Sequence, residues 1–421
     1  MTDRPGLSRR ALLRAFGASA VAAGLAACGA TPPSVVPSPA DGASSSPGGP
    51  SPSATATTVP TASGSSGQPA PTPGATTDPA ALRAKIARML LVGFRGLAIR
   101  PTDPITRALE GGLGGVILFD RDQTTGGLRN IRSPAQLAAL TASIRAAAAR
   151  PLLIAIDQEG GKVSRLNPAM GFPATRTQAA IGATTDPTVA LAAGRAMGAT
   201  MAAAGLDLDL APVVDVDVNP RNPAIGALGR SFSADPAVVA AMAEAEIRGL
   251  HERGVRSTIK HFPGLGSAAA NTDFAVVDVT KTWTDTELVP YMSLIASGVL
   301  DAVMTGNIIN RALDPSGRPA SLSPTIVDGL LRSQLGWTGA VVTDDLGAVA
   351  ITSRYTQKEA VARAIEAGND LLVFANQAAY DPDLATRLID TVMALVASGR
   401  ISETRIDASI ARLDRLATPI P

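Results

Sequence analysis

From about residue 79 onward, hydrophobic residues recur as short continuous runs rich in Val, Ile and Leu. Continuous runs of this length are typical of parallel strands buried on both faces, whereas half-exposed strands alternate apolar and polar residues. The runs predict strands at Met89–Phe94, Gly115–Phe119, Leu152–Asp157, Leu206–Pro212, Ser257–Phe262, Asp301–Asn307, Ala340–Asp345 and Asp370–Phe374.

The segments between these runs are rich in Ala and amphipathic, which predicts helices. The predicted helices are Pro134–Ala149, Thr188–Ala204, Pro236–Arg253, Ser323–Leu335 and Lys358–Ala367. Strands that alternate with helices in this way predict an α/β fold, a (β/α)8 TIM barrel that forms a single catalytic domain over residues 79–421. An open doubly wound sheet is the alternative, but no Gly-rich dinucleotide fingerprint follows the first strand.

The N-terminal segment has a different pattern. A twin arginine in Ser8–Arg14 precedes an apolar run that is too short for a membrane span. The run ends in Leu25–Cys28, which resembles a bacterial lipobox. Residues 1–28 are therefore predicted to be a Tat-like lipoprotein signal peptide with Cys28 as the lipidated residue. A plain secretory signal and Sec export are the alternatives.

Residues 29–78 consist mainly of Pro, Ser, Thr, Gly and Ala, and such a segment cannot bury enough apolar surface to fold. We expect a disordered linker that tethers an exported domain to the outer face of the cell membrane. A net charge of +1 with 3% aromatic residues gives no signal for nucleic-acid binding. Cys28 is the only cysteine in the sequence, which excludes disulfides and Cys-based metal sites within the chain.

Polar residues recur at the C-terminal ends of the predicted strands, where TIM-barrel enzymes carry their active sites. Asp157 closes the third strand, Lys260-His261 the fifth, Asn307 the sixth and Asp344-Asp345 the seventh. Of the two adjacent acids, one can face the barrel mouth as a carboxylate nucleophile while the other caps the following helix. The alternative is that both are caps or loop residues.

Asp157 opens the motif Asp157–Gly161, in which a carboxylate can accept hydrogen bonds from sugar hydroxyls and a Gly pair lets the backbone approach a ligand. Lys260 and Arg230 can donate to hydroxyls or to an amide carbonyl, although solvated surface charge is the alternative for both. Of the two histidines, His261 is the candidate site residue, and His251 is expected at the exposed end of a helix. With one site histidine, neither a metal site nor another cofactor is predicted.

Taken together, five motifs in this order resemble glycoside hydrolase family 3, specifically its single-domain β-N-acetylglucosaminidase branch, in the form of an actinobacterial-type lipoprotein. The resemblance runs from about Ala80 to about Leu416. The motifs are Gly114–Phe119, Asp157–Gly161, Gly229–Phe232, Lys260–Gly264 and Thr343–Leu346.

The resemblance implies that Asp344 is the nucleophile of a retaining mechanism. It also implies that four residues hold N-acetylglucosamine in the subsite before the cleaved bond: Asp157, Arg230, Lys260 and His261.

The chain departs from the family where the proton donor is expected. The family carries Asp-Ser-His in the loop after the fifth strand, and these slots read Asn271-Thr272-Asp273 here; the family's Gly-His-Gly reads Gly264-Leu265-Gly266. We interpret Asp273 as a carboxylic acid/base, with Asn271 orienting it or contacting the substrate. This role requires that burial or the Asp344 charge raise the pKa of Asp273. The alternative is that Asp273 is an incidental loop residue.

The sequence thus predicts an exported, lipid-anchored and monomeric exo-β-N-acetylglucosaminidase without a cofactor. It would release terminal β-linked N-acetylglucosamine from cell-wall (peptidoglycan) fragments through a covalent glycosyl-Asp344 intermediate. The alternatives are a non-catalytic envelope lipoprotein that binds amino sugars and a β-N-acetylglucosaminide phosphorylase. Retention of Asp344 argues against the first alternative, because a non-catalytic protein has no need of a nucleophile.

Overall fold

The computed structural model describes residues 78–418 and residue 420. The predicted signal peptide with its lipobox Cys28, and the predicted linker up to residue 77, lie outside the described residues. Within residues 78–418, no helix is both long enough and apolar enough to cross a membrane.

Eight parallel strands form the centre of the described domain, one for each apolar run. In chain order they are β1 (Leu90–Gly93), β2 (Gly115–Ile117), β3 (Leu153–Ile156), β4 (Leu208–Asp209), β5 (Arg256–Phe262), β6 (Ala302–Thr305), β7 (Ala340–Thr343) and β8 (Leu372–Phe374).

The strands pair in the order β7-β6-β5-β4-β3-β2-β1-β8, so each strand from β1 to β7 lies beside its neighbour in sequence. A bridge between Val342 and Leu371 brings β7 against β8 and joins the two ends of the sheet. The barrel is therefore nearly closed, which confirms the (β/α)8 prediction and contradicts the open-sheet alternative. Strands β1, β3, β6 and β7 are buried along their whole length, as their continuous apolar runs predicted.

Helices connect the strands. They are α1 (Pro79–Arg88), α2 (Pro104–Glu110), α3 (Pro134–Ala147), α4 (Gln178–Gly182), α5 (Pro187–Ala203), α6 (Pro236–His251), α7 (Val289–Ser297), a π-helix (Thr325–Gln334), α8 (Val349–Thr352), α9 (Gln357–Ala367), α10 (Leu384–Ala397) and α11 (Glu403–Ala417). Short 3₁₀ turns lie at Pro168–Met170, Gly226–Leu228, Asp285–Leu288 and Ala320–Leu322. Two small sheets pair Gln158–Gly160 with Val163–Ser164 and Val277–Asp278 with Ile308–Ile309.

The sequence marks where several of these helices begin. Helices α1, α3, α5 and α6 each start with Pro directly after an Asp or Ser whose side chain accepts a backbone amide hydrogen bond. Proline at the first position loses no helical hydrogen bond, and the capping side chain satisfies an amide that has no partner within the helix. The five predicted helices are present with ends within two residues, except that Ser323–Leu335 forms the π-helix.

Seven of the eight predicted strands extend beyond the observed ones, the exception being β5. At two of the seven, β4 and β6, a residue at the predicted end shows why the strand is shorter. The predicted strand Leu206–Pro212 is reduced to β4, and Pro212 has no N–H to donate to a neighbouring strand. Asp301 was predicted to begin the sixth strand, but its carboxylate instead accepts hydrogen bonds from the Ser257 amide at 2.9 Å and from Arg256 at 2.5 Å.

Candidate active site

A pocket opens at the C-terminal end of the barrel and is lined by residues at the ends of β3, β5 and β7. Its lining contains every residue that the sequence predicted for catalysis or substrate binding. These residues are Asp157, Arg230, Lys260, His261, Asn271, Asp273 and Asp344. Asn307, also predicted at a strand end, instead donates a hydrogen bond to the Asp345 carbonyl at 2.8 Å.

A network of buried charges forms one wall of the pocket. Lys260 Nζ lies 2.7 Å from Asp157 Oδ1 and 2.7 Å from Glu159 Oε1. Arg230 forms a two-pronged pair with the same Glu159, with Nε 2.6 Å from Oε2 and Nη2 2.7 Å from Oε1. Glu159 therefore joins both predicted cations. No role was predicted for it, and its place in the Asp157–Gly161 motif was the only signal.

The network fixes the charges of its members. Burial works against ionisation of Glu159, but Arg230 and Lys260 hold the pKa of that carboxyl well below its usual range. Burial likewise opposes the charge of Lys260, yet Asp157 and Glu159 together raise the pKa of the ammonium. The pocket therefore keeps two cations and two carboxylates in fixed positions, which suits hydrogen bonding to sugar hydroxyls.

Arg165 is a further charged residue of the pocket, and it was not predicted from the sequence. Its Nη2 lies 3.5 Å from Asp157 Oδ2, and its guanidinium lies over the Phe119 ring, 5.4 Å from the ring centroid. The stacking orients the guanidinium along the pocket wall. The sequence did not indicate that Arg165 belongs to the pocket, because its partner Phe119 follows β2 whereas Arg165 follows β3.

Replacing Glu159 by Gln is expected to lower the free energy of unfolding by about 3–5 kcal/mol, because two buried cations lose their shared carboxylate. Urea unfolding followed by circular dichroism measures the change. Glu244→Gln is the matched control, since Glu244 pairs with Arg248 at the surface; we expect a change of at most about 0.5 kcal/mol there. Equal effects of the two substitutions would contradict the importance assigned to the network.

His261 is held from behind by a buried carboxylate. Its Nδ1 lies 2.7 Å from Asp215 Oδ2, and Asp215 Oδ1 accepts the backbone amides of His261 at 3.1 Å and Leu265 at 2.7 Å. Since Asp215 engages Nδ1, Nε2 is the ring nitrogen available to a ligand in the pocket. Asp215 lies in a run of buried apolar residues, and nothing in the sequence marked it as the partner of His261.

His251, predicted at the exposed end of a helix, is instead half-buried at the last residue of α6. Its Nε2 lies 2.6 Å from Asp301 Oδ2, so it contributes to structure and stays away from the pocket. The prediction of an exposed side chain was wrong because Asp301 approaches from a distant part of the sequence.

The turn after β5 requires its glycines. A Cβ on Gly266 would lie 1.7 Å from the Val216 carbonyl oxygen, and Gly264 has a φ of +123°. The Gly266 amide donates to Glu287 Oε2 at 2.8 Å, so the buried Glu287 side chain stabilises the turn. Leu265, which occupies the family's histidine position, is buried and lines the pocket.

Burial raises the pKa of Glu287 to about 7, from an ordinary value of 4.5. The folded protein therefore retains a proton that the unfolded chain releases at lower pH, and the free energy of unfolding falls as pH rises from about 4.5 to about 7. In Glu287→Gln this contribution is absent, so the melting temperature should decrease less between pH 5 and pH 8 than in the native protein. The exposed Glu110→Gln serves as the control and should keep the native pH profile. An unchanged profile in Glu287→Gln would contradict the assignment.

The two adjacent acids after β7 both line the pocket, and they differ in their contacts. Asp345 Oδ1 accepts the amides of Gly347 at 2.9 Å and Ala375 at 3.0 Å. The expectation that one of the two acids caps the following helix was wrong, because α8 begins after Ala348 without a side-chain cap. The half-buried Asp344 accepts one amide, that of Asp345, at 2.8 Å.

Burial, together with the neighbouring Asp344 and Asp273 carboxyls, raises the pKa of Asp345 to about 7, although the two amide bonds oppose the rise. The Asp345 carboxyl is therefore held by two backbone amides and lies close to the carboxyls of Asp344 and Asp273. These contacts leave Asp344 as the better-placed nucleophile of the pair.

The loop that carries Asn271 and Asp273 is docked against α8. The amides of Val349 and Ala350 donate to the carbonyls of Asp273 at 3.3 Å and Thr272 at 3.1 Å. Asn271 Oδ1 accepts the backbone amide of Asp273 at 2.9 Å, so Asn271 shapes the turn that presents Asp273 to the pocket.

Asp273 keeps an exposed surface at the pocket rim. Partial desolvation and the nearby Asp344 raise the pKa of its carboxyl, against the opposing effects of Arg230 and His261. The direction of this shift is the one that an Asp in this position requires to donate a proton.

The glycine pair of the Asp157–Gly161 motif has a different purpose from the one expected. Gly160 has a φ of +92°, and a Cβ there would lie 2.4 Å from the Arg176 carbonyl oxygen. A Cβ on Gly161 would lie 2.2 Å from Thr177 Cγ2. The pair therefore allows close packing against residues 176–177, and neither glycine is part of the pocket lining. The close approach of this backbone to a ligand stays a prediction.

Residues 78–418 contain no cluster of His, Cys, Asp and Glu that could hold a metal ion. The pocket combines the Asp344 and Asp273 carboxyls with a set of fixed cations and acceptors. Two carboxyls, one of which has a pKa raised by desolvation and by the other carboxyl, are the arrangement used to protonate a glycosidic oxygen and to attack the anomeric carbon.

Comparison with known proteins gives the same family as the motifs. The model of the Glycosyl hydrolase family 3 N terminal domain matches residues 81–416. A beta-hexosaminidase from Xylella fastidiosa (strain M23) is 36% identical over 325 residues, which cover 75% of this chain and 89% of that protein.

Two solved structures are similar to this one. A glycoside hydrolase family 3 beta-N-acetylglucosaminidase from Paenibacillus sp. str. FPU-7 has a TM-score of 0.72 and 37% identity over 80% of this chain, which spans 62% of that protein's chain. A beta-N-acetylhexosaminidase from Beutenbergia cavernae DSM 12333 has a TM-score of 0.70 and 32% identity, covering 79% of this chain and 97% of the other. The chain belongs to glycosyl hydrolase family 3, as its five motifs predicted.

Proposed function

We propose that this protein is a retaining exo-β-N-acetylglucosaminidase that removes terminal β-linked N-acetylglucosamine by double displacement. The observation that carries the proposal is that Asp344 and Asp273 line one pocket together with the Lys260–Glu159–Arg230 network. Relatives named beta-hexosaminidase and beta-N-acetylglucosaminidase support the choice of an N-acetylated amino sugar as the substrate.

The size of the pocket supports exo action. Its volume of about 220 Å³ is below the range of roughly 300–1,000 Å³ that is typical of sites for larger ligands. A single sugar ring is the occupant that suits this volume. Its hydroxyls would meet Asp157, Lys260 and His261 Nε2, whose positions the buried ion pairs hold before the substrate arrives.

In the first step, protonated Asp273 donates its proton to the glycosidic oxygen while the Asp344 carboxylate attacks the anomeric carbon. The bond between that carbon and the glycosidic oxygen breaks, and its electron pair leaves with the protonated oxygen. Because Asp344 Oδ1 accepts the Asp345 amide, we assign Oδ2 as the attacking atom. The sugar is then joined to Asp344 as an ester.

In the second step, Asp273 is ionised and accepts a proton from water, whose oxygen attacks the anomeric carbon and displaces Asp344. The raised pKa of Asp273 supports both roles, since the group must be protonated at the start and ionised after the first step. The product keeps the β configuration, and both carboxyls return to their starting states.

We further propose that the natural substrates are cell-wall fragments and that the protein is anchored outside the membrane. The support lies in the sequence, where a lipobox-like segment ending in Cys28 and a long Pro/Ser-rich linker precede the catalytic domain. An enzyme tethered in this way meets peptidoglycan before any intracellular glycan. Mass spectrometry of the membrane fraction, which detects a diacylglyceryl group on Cys28, tests the anchor.

Turnover and binding are tested together on the purified protein. We expect release of the chromophore from a chromogenic β-N-acetylglucosaminide, release of N-acetylglucosamine from a muropeptide fragment, and saturable binding of free N-acetylglucosamine in a calorimetric titration. Binding without turnover would identify an amino-sugar-binding protein instead. Acceleration by phosphate with a sugar 1-phosphate product would identify a phosphorylase.

A further inference from the structure

The large apolar side chains left exposed in residues 78–418 all lie in segments that follow strands, at the end of the barrel where the pocket opens. They are Leu128, Val218, Phe274, Val276 and Val349. Phe274 stands out, because 70% of its surface is exposed, whereas Val276 is 43% and Val349 37% exposed. Exposed apolar side chains that cluster beside a binding pocket are typical of a surface that contacts a ligand or a partner.

Three of these residues belong to backbone segments that border the candidate acid/base. Phe274 directly follows Asp273, and the Val349 amide donates to the Asp273 carbonyl at 3.3 Å. The Phe274 amide in turn donates to the Asn271 carbonyl at 3.2 Å, which holds the ring on the same turn as Asp273. Ala348, the neighbour of Val349, lines the pocket. Phe274 and Val349 are thus chain neighbours of the pocket-lining residues Asp273 and Ala348, and Val276 lies two residues beyond Phe274. We call these three exposed residues the apolar patch.

The position of the proton donor indicates which part of the substrate lies over this patch. The glycosidic oxygen must lie within hydrogen-bond reach of the group that protonates it, here Asp273. The leaving group is attached to that oxygen and extends out of the pocket, because the enclosed volume is occupied by the sugar before the cleaved bond. It must therefore pass over the residues that border Asp273 on the solvent side.

We propose that Phe274, supported by Val276 and Val349, is the platform for the leaving sugar ring and a specificity-determining residue of this enzyme. The inference rests on the proposed glycosidase function and extends it to the subsite after the cleaved bond. A β-linked pyranose presents a face of C–H groups, which packs against an aromatic ring and against valine side chains. The occupant is thus a sugar ring rather than a small or purely ionic leaving group.

The test compares two substrates that share the same cleaved sugar. In N,N′-diacetylchitobiose the leaving group is a sugar ring, whereas in β-N-acetylglucosaminyl fluoride it is a single atom that needs no aromatic contact. For Phe274→Ala we expect kcat/KM to fall about tenfold on the disaccharide and less than about twofold on the fluoride. Phe274→Trp, which keeps an aromatic face, should retain the native preference for the disaccharide.

Leu128→Ala is the matched control, since Leu128 is an exposed apolar side chain after β2 and is 43% exposed. It should leave both rates unchanged. Equal losses of Phe274→Ala on both substrates would overturn the platform and assign Phe274 to loop structure. Native rates of Phe274→Ala on both substrates, or an effect only on self-association or on binding of another macromolecule, would also overturn it. If the native protein cleaves neither substrate, the proposed function itself fails, and the inference fails with it.

Discussion

Asp344→Asn is expected to lower kcat by roughly 10⁴-fold on every β-N-acetylglucosaminide, whatever its leaving group. An amide cannot form the glycosyl ester, so both poor and good leaving groups lose the first step. The fold should be unaffected, because the asparagine oxygen can still accept the Asp345 amide that Asp344 Oδ1 accepts at 2.8 Å. Steady-state kinetics on an aryl glycoside and on the disaccharide, together with melting temperatures, measure these effects.

The adjacent acid provides the matched comparison. Asp345→Asn keeps an oxygen for the amides of Gly347 and Ala375, which Asp345 Oδ1 accepts in the native protein. We expect its kcat to fall by no more than about tenfold, since its carboxyl acts through structure rather than by attack. A larger loss in Asp345→Asn than in Asp344→Asn would reverse the assignment of the nucleophile.

Asp273→Ala is expected to lower kcat/KM most for substrates whose leaving groups must be protonated to depart. On the disaccharide, whose leaving alkoxide must be protonated, kcat/KM should fall roughly 10²- to 10⁴-fold. On the fluoride, which leaves without a proton, kcat/KM should stay within a few fold of the native value. Asp278→Ala, an exposed acid of the segment after β5, serves as the control and should behave as the native protein on both substrates.

The same substitution should change the pH profile. Desolvation and Asp344 raise the pKa of Asp273, and the protonated form is the active one, so kcat/KM on the disaccharide falls as pH rises through that pKa. Asp273→Ala should abolish this alkaline decrease. Equal losses on the fluoride and the disaccharide, with the alkaline limb preserved, would mean that another group donates the proton.

The barrel could be predicted from the sequence because its signal is local. Each buried parallel strand is a continuous apolar run, so the sequence alone placed all eight strands, with errors confined to their ends. Seven of the eight strands were predicted too long. At β4 and β6, Pro212 and Asp301 lie in apolar stretches of the sequence yet do not extend the strands. Secondary structure at a strand end depends on partners that lie elsewhere in the sequence.

The site was predictable only in part, for the same physical reason. Residues such as Asp157 and Lys260 occur at strand ends, so barrel geometry brings them together. Their partners Glu159 and Asp215 gave no comparable signal, since the contacts that define them cross from one strand to another. The role of Asp345 depends on the Ala375 amide after β8, and no local pattern distinguishes that contact from a helix cap.

The departure from the family signature at Asn271 and Asp273 now has a structural interpretation. Asn271 accepts the Asp273 amide and shapes the turn. Asp273 is then the acid that this loop presents to the pocket. In the family pattern a histidine stands at that position. The proposed catalysis therefore requires a carboxyl to act at a position where the family uses an imidazole.

Trapping the covalent intermediate in the Asp273→Ala variant tests this account most directly. With the fluoride as substrate, the first step needs no proton donor, whereas the second step lacks the base that activates water, so the glycosyl ester should accumulate. Intact-protein mass spectrometry should detect one added N-acetylglucosaminyl group, and peptide mapping should locate it on Asp344. Failure of any adduct to accumulate while the fluoride is still consumed, or an adduct on another residue, would contradict the assignment of Asp344 and Asp273.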